Sequence, residues 1–155
     1  MECNPAETLV ELNVKLVRSE NEASFYGTLF RQIAGSLRFI CQSRPEIDFS
    51  VGLVSRFMSD PRQPHLLAAK RILRYLKGTL GYGIIFSHQI KEDESLHLEA
   101  YSDSDWCRDL VDRKSTMGQV FLLSGSPMSW SSKKQTVVAL STCEAEYIAA
   151  CSAAC

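Results

Sequence analysis

The sequence predicts an α+β protein in which a helical unit precedes a unit of antiparallel strands and one helix. Between residues 25 and 77, apolar residues recur every three or four positions, as in amphipathic helices. After residue 77 they alternate with polar residues in short runs, as in strands. Beyond Val137 an alanine-rich segment favours helix again. We therefore expect a linker at 1–24, a helical unit at 25–77 and a strand-containing unit at 78–155.

Three apolar stripes predict three helices in the helical unit. Prolines separate them, because Pro45 disfavours helix at the preceding residue and the segment SDPRQP follows the second stripe. The third helix, from about His65 to Leu76, carries basic residues on its outer side. The stripes are Phe25, Leu29, Ile33, Leu37 and Ile40; Ile47, Val51, Val54, Phe57 and Met58; and Leu66, Ala69, Leu73 and Leu76, with Lys70, Arg71, Arg74 and Lys77 outward.

Short segments with strand character follow, and a helix comes after them. Ser141 and Glu144 form the S-x-x-E pattern of a capping box, which marks the start of that helix. Three longer strands and one helix make a thin core, so we expect marginal stability. The outer strands of so small a sheet have unpaired N–H and C=O groups, so we also expect an exposed sheet edge that is prone to association. The strand segments are YGIIF at 82–86, LHLEAYS at 96–102, GQVFLLSG at 118–125 and PMSWSS at 127–132, the last two joined by a tight turn at 124–127.

Composition excludes several classes of protein. Hydrophobic residues make up 45% of the chain, but no apolar run approaches the roughly 18 residues that a membrane span needs. The first residues are acidic and polar, without the basic and apolar regions of a secretory signal. The six cysteines show no zinc-ligand spacing. We therefore expect no membrane partner, free thiols, and a cytoplasmic or nuclear location.

Charge is unevenly distributed along the chain. The formal net charge is −1, yet residues 31–88 contain nine basic and three acidic groups, and residues 89–155 contain six basic and ten acidic groups. A basic middle beside an acidic end fits a protein that meets nucleic acid through one part and a cation through the other. Ordinary solvated faces are the alternative interpretation.

Four carboxylates form a candidate metal site. Asp103 and Asp105 share a face if the strand that contains them continues, because residues two apart point the same way. Glu144 and Glu146 lie on opposite sides of a helix. Glu144 is accounted for by capping, so Glu146 is the acid expected to face Asp103. Two such carboxylates suit Mg²⁺, although acids near turns and helix starts are also commonly solvated.

The motifs of the chain, taken in order, resemble one family. The segments YSDSDW, DRKST, SWSSKKQ and AEY at 101–147 closely resemble the RNase H region of copia-type LTR retrotransposon Pol polyproteins. The segments from LFRQIAGSLRFICQSRPEIDFSVGLVSRFMSDP at 29–61 to HLLAAKRILRYLKGT at 65–79 resemble the end of the reverse transcriptase region before it. The resemblance covers residues 25–155.

The resemblance implies a truncated RNase H-like fold of three antiparallel strands and the first helix. Asp103 matches the first-strand aspartate and Glu146 the first-helix glutamate, catalytic residues that in the complete family domain bind two Mg²⁺ ions to cleave RNA in RNA–DNA hybrids. Asp105 is expected to support Asp103. Two later aspartates have no counterpart here, so we expect a fragment or degenerate relic that is inactive alone and works with the rest of the Pol polyprotein.

Basic residues near the acids are candidate nucleic-acid contacts. Arg113, Lys114, Lys133 and Lys134 lie in the motifs DRKST and SWSSKKQ. We expect them to contact hybrid phosphates without sequence preference, with solvated loop residues as the alternative.

A second motif suggests a different class of function. Arg71, Leu73 and Arg74 in RILR spell R-x-L-R, the motif of secreted oomycete effectors. An amphipathic helix already explains these four residues, and an effector also needs a signal peptide. A third possibility is a domesticated nucleic-acid-binding module that has lost catalysis.

Overall fold

A computed structural model describes residues 3–10, 16, 27–86 and 95–155, which form four helices and one three-stranded sheet. The predicted α+β class is confirmed. The chain divides into two units, residues 1–83 and residues 84–155. The elements are α1 Gly27–Ile40, a 3₁₀ turn Pro45–Ile47, α2 Asp48–Ser55, α3 Gln63–Gly78, β1 Leu98–Asp105, β2 Thr116–Leu123, β3 Ser126–Lys134 and α4 Thr142–Ala154.

The core of the first unit lies among α1, α2 and α3. Two of the predicted stripes are wrong by one residue at a single position each, and most of their other members are in the core. In α1, Phe30 is fully buried whereas Leu29 is 47% exposed, and in α3, Ile72 is buried whereas Leu73 is 37% exposed. Because a helical turn has 3.6 residues, two adjacent apolar residues can both fit the same amphipathic pattern. Packing against the other helices decides which of the two is buried. The core residues are Phe30, Leu37, Cys41, Ile47, Val51, Val54, Leu66, Ala69, Ile72 and Leu76.

A buried arginine, Arg44, links the 3₁₀ turn before α2 to the residue that follows α3. The Arg44 guanidinium donates to Glu46 Oε1 at 2.6 Å, to the Thr79 carbonyl oxygen at 3.1 Å and to Thr79 Oγ1 at 2.7 Å. Its charge is therefore compensated by hydrogen bonds, as burial requires.

Phe25, which was predicted to belong to the apolar stripe of the first helix, lies outside the described residues.

The second unit contains an antiparallel sheet in the order β1-β2-β3. Its β2–β3 turn has positive φ at Ser124 (47°) and Gly125 (78°), which is the geometry of a two-residue hairpin loop. The predicted strand at 82–86 is wrong, since these residues form no strand. A strand needs a neighbour for its N–H and C=O groups, and the described residues provide none for this segment.

Helix α4 begins as the sequence predicts. Ser141 Oγ accepts from the Glu144 N–H at 3.2 Å, and Glu144 Oε2 reaches back to the Leu140 N–H at 2.7 Å. The helix buries Ala145 and Ala149. All six cysteines are free thiols, and none of the helices in the described ranges is long and apolar enough to cross a membrane.

Candidate metal and nucleic-acid site

Asp103 occupies an open position on β1. It pairs with Gly118 of β2, where an added Cβ would meet nothing within 4 Å. Paired residues of an antiparallel ladder share a face, so the β2 residue directly opposite Asp103 places no side chain over its carboxylate. The Asp103 side chain is exposed and available to a ligand.

Glu146 reaches the same strand from α4. Its Oε1 accepts from the backbone N–H of Ser104 at 3.2 Å, directly beside Asp103. Glu146 itself is exposed, because the face that α4 buries contains Ala145 and Ala149 instead. The sequence predicted that Glu146 faces Asp103 on the strand. The structure leaves Glu146 exposed and places its carboxylate at the N–H of the next residue of β1, Ser104.

Asp105 has a structural contact. Its Oδ1 accepts from the backbone N–H of Thr116, the residue it pairs with on β2. This hydrogen bond holds the ends of the two strands together. Asp105 lies two residues beyond Asp103 and on the same face, but one of its carboxylate oxygens is occupied by the backbone.

The donor set fits a hard cation only in part. Asp103 offers its carboxylate from β1, and Glu146 brings a carboxylate from α4 to the N–H of the next residue, Ser104. Oxygen ligands with several retained waters are what Mg²⁺ prefers. The described ranges contain no cluster of three or more His, Cys, Asp or Glu side chains that would suit a metal. Two carboxylates suffice for a weak single-ion site, not for a two-metal site.

Lys134 is engaged by two aspartates of the β1–β2 loop. Its Nζ lies 2.6 Å from Asp109 Oδ2 and 2.7 Å from Asp112 Oδ2. Burial disfavours the charged form of Asp109, but Lys134 and the backbone N–H groups of Val111 and Asp112 outweigh it and lower the Asp109 pKa to about 2. Lys134 thus stabilises the loop, and its charge is largely compensated within the protein.

The other three predicted phosphate contacts are differently placed. Lys133 pairs with Met117, so it lies on the opposite face of the sheet from Asp103 and is exposed. Arg113 is exposed with a positive φ of 58°, and the Lys114 N–H donates to Asp112 Oδ1 at 3.2 Å. The register therefore places Lys133 on the face opposite Asp103, whereas Arg113 and Lys114 lie in the β1–β2 loop.

The RILR residues of α3 hold the start of the chain. Arg71 donates to the Thr8 carbonyl oxygen at 3.0 Å and to Thr8 Oγ1 at 2.8 Å, and Arg74 Nε donates to the Asn4 carbonyl oxygen at 2.7 Å. The neighbouring Lys77 contacts the Cys3 carbonyl oxygen at 2.8 Å. Part of the segment predicted as a linker is thereby fixed to the helix.

Sequence reasoning missed one residue near the two acids. Gln135, the last letter of SWSSKKQ, is 2% exposed and contacts both β1 and α4. Its only sequence signal is a polar residue directly after a strand.

Comparisons with known proteins find polyprotein relatives. The chain is 48% identical over 120 residues to a retrovirus-related Pol polyprotein from transposon RE1 of Arabidopsis thaliana. The matched region is 77% of the chain and 8% of that protein. It is 45% identical over 123 residues to a retrovirus-related Pol polyprotein from transposon TNT 1-94 of Nicotiana tabacum, or 78% of the chain and 9% of that protein. The chain thus spans less than a tenth of these relatives.

A shorter relative carries a different description. The chain is 46% identical over 107 residues to secreted RxLR effector protein 161 of Plasmopara viticola. The matched region is 69% of the chain and 72% of that protein. No protein-family model matches the chain. No solved structure matches it either.

Proposed function

Because the chain belongs to the family of retrovirus-related Pol polyproteins of copia-type transposons, we propose that its second unit supplies part of an RNase H-type site. In this proposal Asp103 and Glu146 provide the first-strand and first-helix carboxylates. The substrate is the RNA strand of an RNA–DNA hybrid, which forms during reverse transcription. The chain corresponds to a segment of the polyprotein, and we propose that other segments supply further acids.

One observation carries the proposal. The hydrogen bond from the Ser104 N–H to Glu146 Oε1, at 3.2 Å, brings the acid of α4 to the residue beside Asp103. A bound divalent cation would activate water and neutralise charge on the scissile phosphate. The chain's own part is to present two carboxylate oxygens at one edge of the sheet, where Gly118 leaves the Asp103 face open.

Metal binding tests this assignment directly. We would titrate the intact chain with Mn²⁺, a spectroscopically visible substitute for Mg²⁺, and follow free Mn²⁺ by electron paramagnetic resonance. Asp103→Asn and Glu146→Gln should each weaken binding about tenfold, because each removes one of two charged ligands. Glu99→Gln is the matched control, since Glu99 lies on the same strand and face as Asp103 but contacts Tyr101 at 2.7 Å. Equal affinities in all four proteins would refute the site.

Hybrid binding tests the nucleic-acid part. We propose that Arg113 and Lys114, in the β1–β2 loop, contact phosphates of a hybrid at Asp103, and that Lys133 contacts phosphates from the other face of the sheet, while Lys134 remains bound to its aspartates. Arg113→Gln should weaken binding of an RNA–DNA hybrid and reduce its salt dependence. With Asp103 and Glu146 as the only two site acids identified in the described residues, we expect binding without cleavage from this chain. Binding without cleavage by the assembled polyprotein would instead favour a domesticated binding module.

An effector-like role is the second candidate, favoured by the similarity to the secreted effector of Plasmopara viticola. The motif arginines would first have to release Asn4 and Thr8, to which they donate. Arg71→Gln with Arg74→Gln should abolish uptake of a fluorescent fusion into host cells, while Lys70→Gln on the same helix should not. If the variant with both arginines replaced is taken up as well as the wild type, the motif does not have this role.

A further inference from the structure

Gln135 occupies a buried position between the strand and the helix of the candidate site. It directly follows β3 and is 2% exposed. Its backbone N–H donates to the Ser115 carbonyl oxygen at 2.8 Å, which fixes where the side chain begins. From there the carboxamide extends towards β1 and α4.

The carboxamide joins the two residues that neighbour the acids. Gln135 Nε2 donates to the Ala145 carbonyl oxygen at 2.9 Å and to Ser104 Oγ at 3.2 Å. Ala145 immediately precedes Glu146, and Ser104 immediately follows Asp103. The orientation of the amide is determined, because a carbonyl oxygen only accepts and must face the nitrogen.

We infer that Gln135 is a positioning residue that fixes the spacing between Asp103 on β1 and Glu146 on α4. The Glu146–Ser104 hydrogen bond closes a ring of contacts that runs from Gln135 to Ser104, to Glu146, and back through Ala145. Without the carboxamide, the Ser104–Glu146 hydrogen bond is the part of this ring that still joins β1 and α4. The metal-binding consequence rests on the function proposed above, whereas the geometric link does not depend on it.

The polarity of this side chain distinguishes positioning from simple packing. Gln135 Oε1 is buried and has no hydrogen-bond partner among the described residues. An unsatisfied buried polar atom is destabilising, so an apolar side chain of similar size would fill the space more favourably. The two directed N–H bonds are what glutamine adds over such a side chain.

The test combines Gln135→Met with Glu146→Gln in the intact chain. Gln135→Met should weaken Mn²⁺ binding about tenfold, the lower end of the effect typical for groups that orient metal ligands. In the Glu146→Gln background it should change the affinity less than twofold, because the acid that it positions is gone. Gln119→Met, the same substitution in β2, serves as the control and should leave the affinity unchanged. Equal losses in both backgrounds would mean a general structural role and would overturn the inference.

A measurement without metal separates this inference from the proposed function. The Ser104 amide proton resonance reports its hydrogen bond to Glu146, so Gln135→Met should move it towards the position seen in Glu146→Gln. If the wild-type chain binds no Mn²⁺ but the resonance moves, the metal proposal fails and the positioning role stands. A resonance unchanged by Gln135→Met overturns the positioning role. Should Gln135→Met not fold, Ser104→Ala removes a single acceptor and is expected to act in the same direction.

Discussion

Replacing Lys134 tests how the loop between β1 and β2 is stabilised. A fall in the Asp109 pKa from 3.8 to about 2 corresponds to roughly 2 kcal/mol of stability at neutral pH as an upper limit. The backbone donors to Asp109 remain in Lys134→Met, and the Lys134 side chain is 26% exposed, so solvent screens part of the pair. We therefore expect Lys134→Met to lower the free energy of unfolding of the second unit by about 1 kcal/mol.

The pH dependence follows from the lowered Asp109 pKa. A carboxylate with a lowered pKa in the folded state stabilises fully above its unfolded pKa and loses this effect as the pH falls through its folded pKa. The difference between wild type and Lys134→Met should thus be complete above about pH 5 and should be lost as the pH falls towards about 2, the folded pKa of Asp109.

Urea denaturation followed by tryptophan fluorescence measures this difference. Trp106 and Trp130 are the two tryptophans of the chain, and both lie in the second unit. Lys133→Met is the control, since Lys133 is exposed and has no ion pair among the described residues. Equal stabilities of the two variants, or a difference that persists at pH 2, would refute the assigned role of Lys134.

Three other substitutions test the remaining structure. Gly78→Ala places a methyl group 2.8 Å from Pro5 Cβ, so limited proteolysis should cut the first ten residues faster; an unchanged rate would contradict that contact. Ser141→Ala removes the cap of α4 and should cost about 1 kcal/mol in urea denaturation, whereas a neutral effect would mean that the hydrogen bond to the Glu144 N–H contributes little. Leu37→Ala should cost about 3 kcal/mol, measured by thermal unfolding, because Leu37 is fully buried; a loss below 1 kcal/mol would indicate a loosely packed core.

Local patterns were sufficient for the existence of most elements. The helical period predicted α1, α2 and α3, and the S-x-x-E pattern predicted the start of α4 at Ser141. The predicted tight turn at 124–127 contains the observed hairpin turn, in which Ser124 and Gly125 have positive φ values. These features depend on residues within a few positions of each other, which is why the sequence reveals them.

Local patterns failed where the outcome depends on a distant partner. The short apolar segment at 82–86 resembles a strand, but no neighbouring strand is present for it among the described residues. Ile72 rather than Leu73 enters the core, because the packing of α3 against the other helices selects one of two adjacent stripes. Lys134 resembles a phosphate contact in the sequence, yet the loop that returns to β2 places two aspartates beside it.

The α+β class and the family follow from periodicity and motif order, which are properties of the chain alone. The motifs also identify Asp103 and Glu146 as the candidate acids, which the Mn²⁺ titration tests. Folding is what brings Glu146 to Ser104 across 42 residues and places Gln135 in contact with both β1 and α4. Those contacts arise from the docking of α4 on the edge of β1, which no local pattern encodes.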